Sequence, residues 1–169
     1  MSPGDRDLLS DFEGISHICR ALAAPPHAWR GEAMLAFCRL MPEICRTSQV
    51  NRGTVRDEGF VAGAVTLLKW ATTEGDEASA MAACIALTAA CTANDGNKRA
   101  AAQLPPAPDG AELASGEAPD AAGASGGEAR DSGLVLLLNA LGRFAESAPL
   151  QAEGLSALRA LLTDDDPRK

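Results

Sequence analysis

The sequence predicts an all-α fold, built as about three rounds of one stacked helical unit and interrupted by a disordered acidic insertion. Three observations predict it. Ala occupies 34 of 169 positions while aromatic residues make up 4% and Tyr is absent; Ala is the best helix former, whereas aromatic residues favour strands. Apolar residues recur at spacings of three and four in three separate stretches, the phase of packed helices. Those stretches also superpose on one another by fixed shifts along the chain.

A chain of 169 residues holds one core or one short stack of repeats, and scarcely two independent domains. Residues 1–11 form a polar N-terminal segment, and residues 12–104 hold the first two helical units. Residues 105–130 form a low-complexity insertion in which Ala, Gly and Pro fill 17 of 26 positions and Leu113 is the one large apolar residue. Such a segment buries too little surface to offset its ordering entropy, so a flexible loop is expected. Residues 131–169 supply a final, incomplete unit.

Within the units the elements come in a repeated order. Residues 14–22 (GISHICRAL) read as a helix of two or three turns beginning on a glycine. Residues 31–46 follow as a longer helix with Leu35, Cys38, Met41 and Cys45 along one stripe. Asn51 then opens a short third segment, Asn being a favoured helix cap. The second round repeats this with residues 63–71 (GAVTLLKWA), a long helix over 76–92 carrying Met81, Cys84, Leu87 and Cys91, and a short segment from Asn97. After the insertion, residues 133–141 (GLVLLLNAL) and 148–162 complete the pattern, the latter aligning Gln151, Leu155, Leu158 and Leu162. Pro149 falls in the first turn of that last helix, where its missing N–H forfeits no bond. The apolar run 134–138 could stand alone as a buried strand, but its place in the order makes it a helix.

A shift of 46 residues carries Leu35, Cys38, Met41, Cys45 and Asn51 onto Met81, Cys84, Leu87, Cys91 and Asn97. A shift of 71 carries Cys84, Leu87 and Cys91 onto Leu155, Leu158 and Leu162. With the insertion removed the period is roughly 40–50 residues, the range of armadillo and HEAT repeats. The phrase order resembles the armadillo-repeat family. Asn51-Arg52 and Asn97-Lys98 stand where the family's short helix opens, and Gly63-Ala64-Val65-Thr66-Leu67-Leu68 resembles its second helix. Ala157-Leu158-Arg159-Ala160-Leu161-Leu162 resembles the close of its third. HEAT-like repeats are the competing class.

The resemblance implies a right-handed superhelical solenoid whose third helices line a concave, protein-binding surface. In the family's peptide-binding members that surface carries a Trp and an Asn that grip an extended partner. Here the Trp place falls on Arg39, Ile85 and Ser156, and the Asn place on Glu43, Ala89 and Ala160. Neither ladder is present, which sets this chain apart from binders of nuclear-import signals or cadherin tails. Trp29 and Trp70 are expected to be packing residues.

The function expected on this reading is a non-enzymatic scaffold that binds a protein partner through exposed third-helix positions. These are Arg39 and Glu43 in the first round, Ser79, Thr88 and Thr92 in the second, and Glu153, Ser156 and Arg159 in the third. The alternative is a structural subunit or co-chaperone-type adaptor within a larger assembly. The open ends of a repeat stack also allow end-to-end association, or continuation of the stack in a longer protein.

Other chemistries find little support. A net charge of -8, with no basic cluster, argues against nucleic acid as a partner. No uninterrupted apolar stretch is long enough to span a membrane, and acidic residues in the first fifteen positions argue against a secretory signal. An odd count of five cysteines is unlike a secreted disulfide framework, so the expected compartment is the cytoplasm or the nucleus. Cys38 and Cys45, like Cys84 and Cys91, are seven apart on a helix, about 10 Å along its axis, too far for one zinc. No metal site and no cofactor are expected. His17 and Cys19 point apart at i and i+2, so they make no catalytic pair.

Overall fold

The computed structural model describes residues 13–23, 31–46, 48–102 and 132–163. Segments 1–11 and 105–130, together with His27, Trp29 and the acidic run 164–166, lie outside the described residues. Every regular element among the described residues is an α-helix. They are α1 (Gly14–Ala23), α2 (Glu32–Cys45), α3 (Gln49–Asp57), α4 (Phe60–Glu74), α5 (Glu77–Cys91), α6 (Asp95–Ala102), α7 (Gly133–Arg143) and α8 (Ala148–Leu162). The run 134–138 is helical, inside α7. None of these helices is long and apolar enough to cross a membrane.

Short polar residues set the helix starts. Ser48, Asp76, Ser132 and Ser147 precede α3, α5, α7 and α8, and each accepts a hydrogen bond from the backbone N–H three residues on. Asn94 does the same before α6, accepting from Asn97 N at 2.9 Å. Each bond satisfies one of the N–H groups a helix start leaves over. Asn51 and Asn97 are therefore not the caps expected of them. Both sit inside their helices, fully buried, and turn their amides back to the carbonyl seven residues earlier. Asn51 Nδ2 donates to Ile44 O at 3.0 Å, and Asn97 Nδ2 to Ala90 O at 2.8 Å. Asn97 Nδ2 also reaches Arg52 O at 2.9 Å, tying α6 to α3. The two asparagines thus staple the end of each long helix to the short helix that follows.

The second segment of the second round is longer than the sequence suggested. α4 starts at Phe60, three residues before Gly63, because Gly59 in the left-handed region (φ 77°) turns the chain immediately after α3. Its N-terminal ring stands edge-on to Phe37 of α2, with centroids 4.9 Å apart. Trp70 lies within α4 and is half-buried against the core.

The long helices α2, α5 and α8 pack in sequence, α5 in the middle. α4 backs α5 and also packs on α7, while α1 rests on α3 and α4. The short helices α3 and α6 pack on each other and on α4. α5 can take neighbours on three sides because its buried residues are mostly small: Ala80, Ala82, Ala83, Cys84, Ala86, Ala90 and Cys91. Small side chains let helix axes come close, toward the lower end of the usual ~8–10 Å.

The apolar stripe read from the sequence is buried in α2 and α5 along Cys38, Met41, Cys45, Cys84, Leu87 and Cys91. In α8 it is not the buried face. Leu155 and Leu162 face solvent, and α8 buries Leu150, Gly154, Ala157 and Ala160 instead. The stripe is the side that each long helix turns toward its successor, and no described helix follows α8.

Two glycines show how tightly α7 packs on α6 and on α8. A Cβ on Gly133 would overlap the Ala101 carbonyl oxygen, which cannot swing aside. A Cβ on Gly154 would meet Leu141 Cδ2 at 2.7 Å, the end of a flexible side chain. Gly133→Ala should therefore destabilise by about 2 kcal/mol. Gly154→Ala, which gains about 1 kcal/mol of helix propensity, should come out near neutral. Urea denaturation of the two variants tests this packing; equal effects would contradict it.

Candidate functional site

Two adjoining depressions form one groove across the exposed sides of α2, α5 and α8. One, of about 420 Å³, lies between α5 and α8 and is lined by Thr88, Thr92, Ala93, Ser156, Arg159, Ala160 and Thr163. The other, of about 410 Å³, extends toward α2, with Pro42, Arg46, Arg52, Ile85, Ala89 and Glu153 joining Thr88 and Thr92. The two share Thr88 and Thr92, so α5 forms the floor of both. A third depression, of about 600 Å³, covers the turn between α7 and α8, where Ser147 Oγ donates to Glu77 at 2.6 Å. It touches no exposed position of the three long helices beyond the first residues of α5 and α8.

The groove's hydroxyls have a single role left. Thr88 Oγ1 donates to Cys84 O at 2.9 Å and Thr92 Oγ1 to Thr88 O at 2.6 Å. Ser156 Oγ donates to Ala152 O at 2.9 Å and Thr163 Oγ1 to Arg159 O at 2.6 Å. Each hydroxyl has one proton and spends it on its own helix, so toward the groove it offers lone pairs only. Donors come from arginine. Arg159 is exposed on α8, and Arg46 is exposed at the end of α2, where it pairs with Glu43. Arg52 is buried beneath, its NH2 group donating to Arg46 O at 3.2 Å. Lys98 Nζ donates to Thr163 O at 2.6 Å and holds the end of α8 in place. Arg46, Arg52 and Arg159 against Glu153, and against the Glu43 that pairs with Arg46, leave the groove wall cationic by one charge in a chain of net charge -8.

Of the surface expected from the sequence, Thr88, Thr92, Glu153, Ser156 and Arg159 line this groove. Arg39 is exposed and Glu43 half-buried on α2, but neither lines either depression. Ser79 is not an exposed position. It is 3% exposed, and its hydroxyl donates to Asp76 Oδ2 at 2.6 Å within the α5 cap. That bond holds the Asp76 carboxyl below its usual range. Pro42, Arg46 and Arg52 lie near the junction of α2 and α3, away from the exposed stripe, and the sequence marks Arg52 only as part of a short-helix opening. The legible signal was Pro42 inside a helical stretch with an arginine four residues on.

Reactive groups lie elsewhere. All five cysteines are buried, and burial pushes each thiol from 9.0 up to about 12. His17 is exposed, with Nδ1 against Glu13 O at 2.9 Å, while Cys19 on the other side of α1 is in the core. Among the described residues no three His, Cys, Asp or Glu side chains gather as a metal site. In comparisons with known proteins, no family model, curated protein or solved structure matches this chain.

Proposed function

We propose that this chain is a non-enzymatic protein-binding scaffold of stacked, armadillo-like helical units, which takes an extended, acidic segment of a partner along the groove over α5. The observation that carries it is the hydrogen-bonding character of the groove. Four hydroxyls offer acceptors and the arginines offer donors. An extended peptide backbone presents both complements, N–H and C=O, at every residue. Acidic side chains on the partner would meet Arg46 and Arg159, which favours encounter and register.

Two further observations support the repeat reading. Short, middle and long helices recur in order, and the long ones pack as one row. The places that the armadillo resemblance assigns to partner contact include Ile85, Ala89, Ser156 and Ala160, all of which line the groove.

Peptides selected by phage display on the folded protein should be enriched in Asp and Glu. A selected peptide should bind Arg159→Glu about tenfold more weakly, a change of about 1.4 kcal/mol. It should bind Glu74→Arg, at an exposed position outside the groove, as it binds the parent. Both variants should keep the parental melting temperature. Basic or sequence-neutral selection, or equal loss in both variants, would refute the reading.

A further inference from the structure

Two faces at opposite ends of the row of long helices carry residues whose counterparts are covered. Cys38, Met41 and Cys45 of α2 are buried, and so are Cys84, Leu87 and Cys91 of α5. At the same register in α8, Leu155 is 58% exposed, Leu158 half-buried and Leu162 67% exposed. The difference is a neighbour. α5 follows α2 and α8 follows α5, but no described helix follows α8. Glu153 of α8 is close enough to Cys84 to raise its thiol further, which sets that side of α5 toward α8. The row behind agrees: Leu68 of α4 is fully buried, whereas Leu138, at the matching place in α7, is 54% exposed.

The incoming sides show the mirror of this. Ser79, Ala82 and Ala86 of α5 are buried, as are Leu150 and Ala157 of α8, with Glu153 half-buried at the place of Ala82. The matching residues of α2 are Ala33, Ala36 and Leu40, all exposed, Leu40 at 38%. No described helix precedes α2 in its row. Each internal junction thus sets an outgoing face with larger side chains on an incoming face that includes small ones. The chain carries one further face of each kind, and neither has a partner among the described helices.

We propose that copies of this chain assemble head to tail, the outgoing face of α8 (Leu155, Leu158, Leu162) and Leu138 of α7 seating on the incoming face of α2 (Ala33, Ala36, Leu40) in the next copy. The partner such a face is shaped for is an incoming face, and the molecule offers its own at the other end. This goes beyond the groove reading and does not depend on it. A heterologous contact of this kind does not close on itself, so it adds copies one after another.

Sedimentation equilibrium on three proteins tests it. The parent should rise from its 17.4 kDa monomer to species beyond the dimer as concentration increases. A tail variant, Leu155→Glu with Leu162→Glu, should stay monomeric, as should a head variant, Ala33→Glu with Leu40→Glu. Mixed in equal amounts they should form a species of twice the monomer mass and nothing larger, since each supplies the face the other lacks. All substituted positions are exposed, so helical circular dichroism and melting temperature should match the parent. A parent that remains monomeric overturns the proposal. So does a head variant that still dimerises by itself, which would mean leucine face on leucine face, and so does a mixture that stays monomeric.

Discussion

Raising the pH from 8 to 10 should remove several kcal/mol of stability, with the cysteines as the cause. Burial is the main cause lifting all five thiols from 9.0 to about 12. Below pH 9 folded and unfolded chains both keep these protons, and the contribution is whole. Above pH 9 the unfolded chain loses protons that the folded one still holds, so stability declines until about pH 12. Each thiol then costs about 1 kcal/mol by pH 10. Five of them approach the ~5–15 kcal/mol that holds a typical domain together. Few other groups compete in this window: the chain has no tyrosine and only three lysines, Lys69, Lys98 and Lys169. Urea denaturation at pH 8, 9 and 10 reads the slope directly. In a variant with all five cysteines replaced by alanine the slope should flatten, whatever stability the smaller side chains forfeit at pH 8. A parental loss below about 1 kcal/mol between pH 8 and 10 would mean the thiols are not sequestered as described.

Asn97→Ala should destabilise by about 1–3 kcal/mol. The amide is fully buried and donates twice, to Ala90 O in the last turn of α5 and to Arg52 O in α3. Removing it strands the Ala90 carbonyl at the end of α5, worth about 1–3 kcal/mol when left unmet, while Arg52 O, inside α3, keeps its helical partner and loses only the tie to α6. Part is returned because Asn97 Oδ1 itself has no hydrogen-bond partner among the described residues. Asn97→Asp should cost more than Asn97→Ala, since it turns an acceptor or a buried charge toward the same two carbonyls. Chemical denaturation gives both values. An Asp variant as stable as the Ala variant would show that the site is wetter than its burial implies.

The sequence made the helices legible because apolar phase survives substitution of Cys by Leu, as the shifts of 46 and 71 residues illustrate. What it could not show is which neighbour each side of a stripe meets. Leu155 and Leu162 occupy the same register as Cys84 and Cys91 and differ only in what stands beyond them. Asn51 and Asn97 were read as caps from residue type, yet Ser48 and Asn94, three positions earlier, take that role. That spacing of three was on the page, and it separates a cap from a buried staple. Ser79 was placed on the surface by counting along α5, but its hydroxyl is consumed by the Asp76 carboxylate. Five of the thirteen residues lining the groove were legible as exposed third-helix positions. Arg46 and Arg52 were not, because Arg46 lies past the end of α2 and Arg52 sits inside α3, a helix outside the row of long ones.

The close approach of Gly133 to the Ala101 carbonyl bears on how the molecule is wired. The polypeptide leaves one rigid body and re-enters it at nearly the same point, so the number of residues strung between is almost unconstrained by geometry. Closing such an excursion costs only about 0.6 kcal/mol more for each doubling of its length. That junction is a natural port: a tether of a few residues, a guest domain or new chain ends could each be installed there while the helices on either side keep their seats.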